Sequence, residues 1–193
     1  MEITLYNEFK RKAIHLFALS IPIGYYFLPK KLSLALLLPF ALGSIIFDVV
    51  RLHSLPGAKF LNSFFGPILR EHESKDLTGS SYILSGAAIT IALFSKKVAV
   101  TAICFIILGD IAAALIGRPY GKTKIIGTKS LEGSGAFLIL CLLVGLGIPG
   151  LPFWIGIIGA IVAMLMELAP LPIDDNISVP LISGAVMELL LLI

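Results

Sequence analysis

The sequence predicts an all-α, polytopic membrane protein of about seven transmembrane helices with its N-terminus inside. Three observations lead there. Hydrophobic residues make up 58% of the 193 positions and charged residues 14%, and mean hydropathy is +1.00. A soluble domain of this length cannot hide so much apolar surface in one core. The apolar residues also come in runs on the scale of a bilayer, divided by polar breaks. Finally, the basic residues are spread very unevenly over those breaks.

The first run, Ala13–Leu28, follows Lys10, Arg11 and Lys12. It is longer than a signal-peptide core and has no small-residue cleavage site, so it reads as an uncleaved first helix. Leu32–Val50, Gly79–Phe94, Val98–Gly117, Gly135–Ile148, Phe153–Leu168 and Val179–Ile193 supply the other six. Several are short against the ~20 residues of a perpendicular span. Their ends are therefore expected to extend into neighbouring polar residues, or to begin in a cavity. Pro22 and Pro39 fall inside the first two helices, where a bundle tolerates kinks. Cys104 and Cys141 sit in apolar runs and read as small hydrophobes. One domain, residues 1–193, is expected, with no internal repeat.

With the N-terminus inside, eleven of the fifteen basic residues lie on inner segments and only Lys30, Lys31, Lys96 and Lys97 on outer ones. A multi-pass protein of the cell membrane follows. Its two long polar loops, Leu52–Thr78 and Arg118–Ser134, and the short link Ala169–Ser178 all lie on the cytoplasmic face. Function concentrates on such loops.

The densest chemistry runs from Gly109 to Ser134. Asp110 stands inside helix four, about two turns (~10 Å) from its inner end, and a carboxylate at that depth is costly and marks a site. Ala113, Ala114 and Gly117 share its face, leaving room either for a ligand or for a closely packed helix. Beyond it, Arg118, Lys122, Lys124 and Lys129 alternate with Gly121, Gly127 and Gly133. Clustered cations with backbone donors suit a polyphosphate. The segment is neither a Walker A loop nor a GxGxxG turn. A second acidic group, Glu167 and then Asp174-Asp175-Asn176, precedes helix seven. These residues either cap that helix or, with Asp110 and Glu132, supply hard oxygen ligands for Mg²⁺.

Arg11, Lys12, His15, Arg70, Glu71, Glu73 and Thr78 are further inner-face polar residues and additional site candidates. Asp48 and Arg51, three apart, have the spacing of a local ion pair. Glu188, near the outer end of helix seven, has no partner legible in the sequence. Nothing in the pattern points to a nucleic acid.

In combination these residues resemble a known family. The order is Arg11-Lys12-x-x-His15, Arg70-Glu71-x-Glu73 with Leu77-Thr78-Gly79, and Gly109-Asp110-x-x-Ala113-Ala114-x-x-Gly117-x-x-x-Gly121-Lys122. Lys129-Ser130-Leu131-Glu132-Gly133-Ser134 and Asp175-Asn176-x-x-x-Pro180 follow. It resembles the dolichol kinase, phytol kinase and CTP-dependent diacylglycerol kinase family over most of the chain. The central segment is also similar to CDP-diacylglycerol synthases, whose C-terminal His-Gly-Gly and Asp-Arg-x-x-Asp signature is absent. The resemblance implies CTP as phosphoryl donor, Mg²⁺, and a membrane lipid alcohol as acceptor.

On this reading Arg118, Gly121, Lys122, Lys124, Lys129, Ser130, Glu132 and Gly133 form the nucleotide site. Asp110, Asp175, Asn176 and Glu132 hold the metal, Asp110, Asp175 and Lys122 are catalytic, and Glu167 stands beside them. The expected acceptor is an isoprenoid alcohol such as a polyprenol, dolichol or phytol, ahead of diacylglycerol, because the chain has little beyond its motif-bearing core to recognise a broad headgroup. A CDP-diacylglycerol synthase-like cytidylyltransferase and a small ion-coupled transporter are the rival functions. The sequence leaves the oligomeric state open.

Overall fold

A computed structural model describes residues 15–56 and 76–193. Among them the chain forms α1 (Ser20–Phe27), α2 (Lys30–Leu52), α3 (Gly79–Leu93) and α4 (Lys96–Tyr120), followed by strands β1 (Lys124–Ile126) and β2 (Lys129–Ser130). Helices α5 (Leu131–Gly147), α6 (Phe153–Leu168) and α7 (Asp175–Leu190) complete it. Each described helix matches one expected apolar run. The ends of α2, α4, α5 and α7 reach into flanking polar residues: Lys30 and Lys31, Lys96 and Lys97, Glu132, and Asp175 with Asn176.

The expected count of transmembrane helices is met only in part. Helices α2 and α4, at 23 and 25 residues, are long and apolar enough to cross a bilayer, whereas α3, α5 and α6 are shorter apolar helices. The all-helical expectation also missed the antiparallel β1–β2 hairpin, which pairs Lys124 with Ser130 and Ile126 with Lys129. Its turn is entered through Gly127 at φ +57°, a left-handed conformation that glycine adopts without steric cost.

Helix α4 is the post of the bundle. From Val98 to Ile107 nearly every side chain is buried, and α1, α3, α5, α6 and α7 all pack against it. Packing on the α5 side is close because both helices lack side chains at the crossing: a Cβ on Gly133 would lie 3.1 Å from the Gly117 Cα and from the Ala113 carbonyl oxygen. Gly145 and Gly156 play the same part between α5 and α6. Such small-residue seams are how helices approach when apolar surroundings offer no hydrophobic drive. The outer surface is apolar as well. Leu32, Leu36, Phe40, Leu42 and Ile46 of α2 are all exposed, a band that water would not support.

Helix α1 begins late for a reason in the sequence. Pro22 has no N–H to give the Ala18 carbonyl four residues back. Ile21 N donates to that carbonyl instead at 3.0 Å, and Ala18 and Leu19 likewise bond three residues back. The helix is thus interrupted at Ala18 and Leu19, between the helical residues 15–17 and the start of α1 at Ser20.

Two polar ties hold the helices in register. Asp48, fully buried on α2, accepts from Arg51 Nη2 at 3.0 Å and, through its other oxygen, from Thr78 N (2.8 Å), Thr78 Oγ1 (3.0 Å) and Ser81 Oγ (2.6 Å). Arg51 also donates to the Asp76 carbonyl at 2.6 Å. The pair spaced for a local contact therefore fastens α2 to the start of α3. At the opposite end of the bundle, Glu188 Oε2 accepts from Ser95 N (3.0 Å) and Ser95 Oγ (2.8 Å), so that α7 caps α4. Lys30, Lys96 and Lys97 at this end donate to the carbonyls of Phe94, Leu28 and Gly150.

Candidate functional site

The end of the bundle away from Ser95 gathers the remaining described charges. The hairpin hangs between α4 and α5, and its attachment explains several glycines and one serine. Ser130 is buried and caps α5, its hydroxyl accepting from Gly133 N at 3.2 Å. A side chain on Gly121 would strike the Gly117 carbonyl and Ser130. Gly121, Ser130 and Gly133, assigned in sequence to a nucleotide, are thus used to close the loop against α4. Glu132 is also engaged locally: its two carboxylate oxygens lie 3.2 and 3.3 Å from Thr123 N. That bond ties the chain entering the hairpin to the helix leaving it.

The lysines of this loop divide. Lys122 and Lys124 are exposed, with Lys124 Nζ donating across the turn to the Thr128 carbonyl at 3.2 Å. Arg118 lies exposed at the last turn of α4. Lys129 instead turns into the bundle. Its ammonium sits 3.3 Å from Glu167 Oε1 at the end of α6 and 3.2 Å from Asp175 Oδ2 at the start of α7. Two carboxylates from two helices therefore share one cation from the hairpin.

Hydrogen bonding is incomplete on one of these carboxylates and on the first turns of α7. Glu167 Oε2, Asn176 Oδ1 and Ser178 Oγ are buried without a hydrogen-bond partner. The Asn176 orientation is chemically determined: its Nδ2 donates to Asp174 Oδ1 at 2.8 Å, and a flipped amide would set oxygen against oxygen. The capping role foreseen for this segment falls to Asp174, which accepts from Asn176 N at 2.9 Å. That frees Asp175 for Lys129. Unpaired buried oxygens of this kind are costly and call for an explanation.

Asp110, on α4, is close enough to Glu167 and Asp175 for its charge to act on theirs. Its side chain is 40% exposed, and Oδ2 lies 3.4 Å from Nε2 of His15, which is 12% exposed. Five of the sequence candidates, His15, Asp110, Lys129, Glu167 and Asp175, are thereby brought to one place with Asn176 adjoining. Thr78 is spent in the Asp48 tie and caps α3. Arg11, Lys12, Arg70, Glu71 and Glu73 lie outside the described residues. Ser178 escaped sequence reasoning, its only signal being a polar residue two positions after Asn176.

Among the described residues no three His, Cys, Asp or Glu side chains are grouped closely enough to cage a metal. Mg²⁺ rarely needs such a cage; it is held through one or two carboxylates together with substrate phosphates and water. The unpartnered oxygens of Glu167 and Asn176, beside Asp175, fit that partial donor set. Glu132, bound to Thr123, is engaged apart from it.

No family model matches this chain, and no solved structure matches it. Three curated proteins are similar in sequence. An uncharacterized protein of Rickettsia prowazekii is 34% identical over 186 residues, 90% of either chain. CTP-dependent diacylglycerol kinase 1 of Schizosaccharomyces pombe is 28% identical over 162 residues, 75% of this chain and 74% of that one. The protein of the same name from Eremothecium gossypii is 31% identical over 98 residues, covering 50% of this chain and 31% of its own. The chain thus belongs to one family with the Rickettsia protein, and its relatives with a named activity are CTP-dependent diacylglycerol kinases.

Proposed function

We propose that this protein is a multi-pass membrane enzyme that transfers the γ-phosphoryl group of CTP to a lipid alcohol, with diacylglycerol as the acceptor. The observation that carries the reading is the Lys129 ammonium held between Glu167 and Asp175, with the second Glu167 oxygen left without a partner. A lysine shared by two carboxylates can be handed to an incoming phosphate, and the carboxylates it leaves can then face a divalent cation. Mg²⁺ bound there would neutralise charge on the transferring phosphoryl group.

The residues of the chain have distinct parts in this scheme. Lys122, Lys124 and Arg118, exposed on the loop and the adjoining helix end, draw in the triphosphate, and Lys129 contacts it nearest the reacting end. Asp175, Asn176 and Glu167 hold the metal side. Asp110, half-exposed and paired with His15, accepts the proton of the acceptor hydroxyl as its oxygen bonds to phosphorus. The bond from phosphorus to the β-phosphate oxygen breaks and CDP leaves. Positioning and charge neutralisation supply most of the rate in such a transfer. The site faces the cytoplasm, as the distribution of basic residues indicates.

The acceptor assignment departs from the sequence expectation. The names of the relatives favour diacylglycerol over the isoprenoid alcohol. One experiment addresses donor, acceptor and reaction type together: purified protein in mixed micelles with γ-labelled CTP or ATP and diacylglycerol, a polyprenol or phytol. Label in phosphatidic acid, released CDP and a preference for CTP are expected. Label in a polyprenyl phosphate would return the acceptor to the isoprenoid class. Released pyrophosphate would instead identify a cytidylyltransferase, and no turnover with any pair would defeat the enzyme reading.

A further inference from the structure

On the flank of the bundle, α1, α2 and α3 enclose an apolar cavity of about 460 Å³. Its walls include Phe17, Ile21 and Gly24 from the first segment, Leu36 from α2 and Leu84 from α3. Few polar groups reach it. The Ser33 hydroxyl, one of them, already donates to the Pro29 carbonyl at 3.1 Å. A polar headgroup or a stable water would need two or more convergent partners there. An alkyl chain needs none.

Two further features separate this cavity from the general apolar exterior. Gly24 lines it, and an added Cβ there would meet nothing within 4 Å, so that a larger side chain could enter the space. It is also continuous in the chain with the polar site. Phe17 and Ala18, which line it, follow closely in the chain on His15, which stands against Asp110. On the other side of the cavity, α3 separates it from α7, where a side chain on Gly86 would collide with the Asn176 carbonyl. The cavity therefore begins close in the chain to His15, with α3 standing between it and the start of α7.

We propose that this cavity seats one acyl chain of the acceptor lipid, with Gly24 setting the room available to it. That this acyl chain belongs to an acceptor rests on the lipid-kinase reading; that the cavity takes an acyl chain is tested without turnover. A single molecule then spans both regions, its hydroxyl at Asp110 and its tail between α1, α2 and α3, so that the cavity fixes the depth at which the hydroxyl stands.

The test has one arm without turnover and one with it. In the first, the full-length protein in nanodiscs is irradiated with diacylglycerol carrying a diazirine midway along one acyl chain, and adducts are mapped. Adducts within 17–28 and 33–40, competed by unlabelled diacylglycerol but not by phosphatidylcholine, and lost in Gly24→Phe, are expected. Equal competition by phosphatidylcholine, or adducts that persist in Gly24→Phe, would overturn the proposal and leave a surface furrow filled by bulk lipid. In the second arm, the ratio of kcat/KM for dioleoyl- over dioctanoylglycerol should fall about tenfold in Gly24→Phe and less in Gly24→Ala, in keeping with the discrimination apolar pockets achieve. An unchanged ratio in a folded Gly24→Phe protein would also overturn it. Should CTP label no acceptor at all, the kinase reading fails, while the crosslinking arm still decides the cavity. Should Gly24→Phe not fold, wild-type competition and the Gly24→Ala ratio decide it.

Discussion

Among the described residues two charged clusters differ in how completely their atoms are paired. Around Asp48 both carboxylate oxygens are engaged, by Arg51 on one side and by Thr78 and Ser81 on the other, and the pair is buried. Around Lys129 one cation serves two carboxylates, and oxygens of Glu167 and Asn176 have no partner. A finished network fastens helices. An unfinished one in the same protein stores binding capacity, because each unpaired buried oxygen gains by meeting a ligand. The comparison teaches that charge alone does not separate a structural tie from a candidate site, whereas the completeness of pairing does.

The comparison breaks most visibly by removing one member of the finished cluster. Asp48→Ala would leave the buried Arg51 guanidinium uncompensated, a loss of roughly 3–5 kcal/mol and a large part of a typical folding free energy. Low folded yield and a lowered melting temperature in detergent are expected, with activity per folded molecule retained. A stable but inactive Asp48→Ala protein would place Asp48 in the chemistry instead.

Substitution in the unfinished cluster should do the reverse. Asp110→Asn and Asp175→Asn keep size and polarity but remove charge, and each should cost on the order of a hundredfold in turnover while melting stays near that of the wild type. Near-normal activity of Asp110→Asn across Mg²⁺ concentrations would make it a packing residue. Lys129→Met comes next. A roughly tenfold rise in KM for CTP or fall in turnover is expected, alike for ATP, since phosphates carry no base identity.

Smaller effects sharpen the division among the loop lysines. Lys122→Ala and Lys124→Ala should each shift the KM for the triphosphate only a few-fold, and less as salt rises, because exposed charges are screened. A change confined to the lipid KM would count against their role. Smallest of all, Glu132→Gln still offers an oxygen to Thr123 N, so activity within about twofold of wild type is expected. A large loss there, with rescue by excess Mg²⁺, would restore Glu132 to the metal site.

Much of the fold was legible because apolar runs and polar breaks are local signals: every described helix overlaps an expected one. The hairpin was not read, although Ile125-Ile126-Gly127-Thr128 carries its turn, since the surrounding glycines and lysines look like a ligand loop. The close packing at Gly121 and Gly133 was hidden for the same reason, as a glycine that admits a phosphate and one that admits a helix look alike in a sequence. Asp48 and Arg51 were visible as a pair, but Thr78 and Ser81 join them from 30 and 33 residues away. The meeting of Lys129 with Asp175, separated by 46 residues, needed the packing of α4 through α7 to appear. The candidate residues could be collected from sequence; which of them are engaged in structural hydrogen bonds could not.

The bond from Glu188 to Ser95 has a mechanical consequence. Helix α4 is pinned at its start by that carboxylate and near its finish by the Gly121–Ser130 contact, so it cannot slide like a piston. The altitude of Asp110 within the bundle is therefore a constant of the architecture, set from a point at the far end of a 25-residue helix. On the proposed reaction, a lipid would bring its hydroxyl to that altitude rather than be met by a travelling carboxylate.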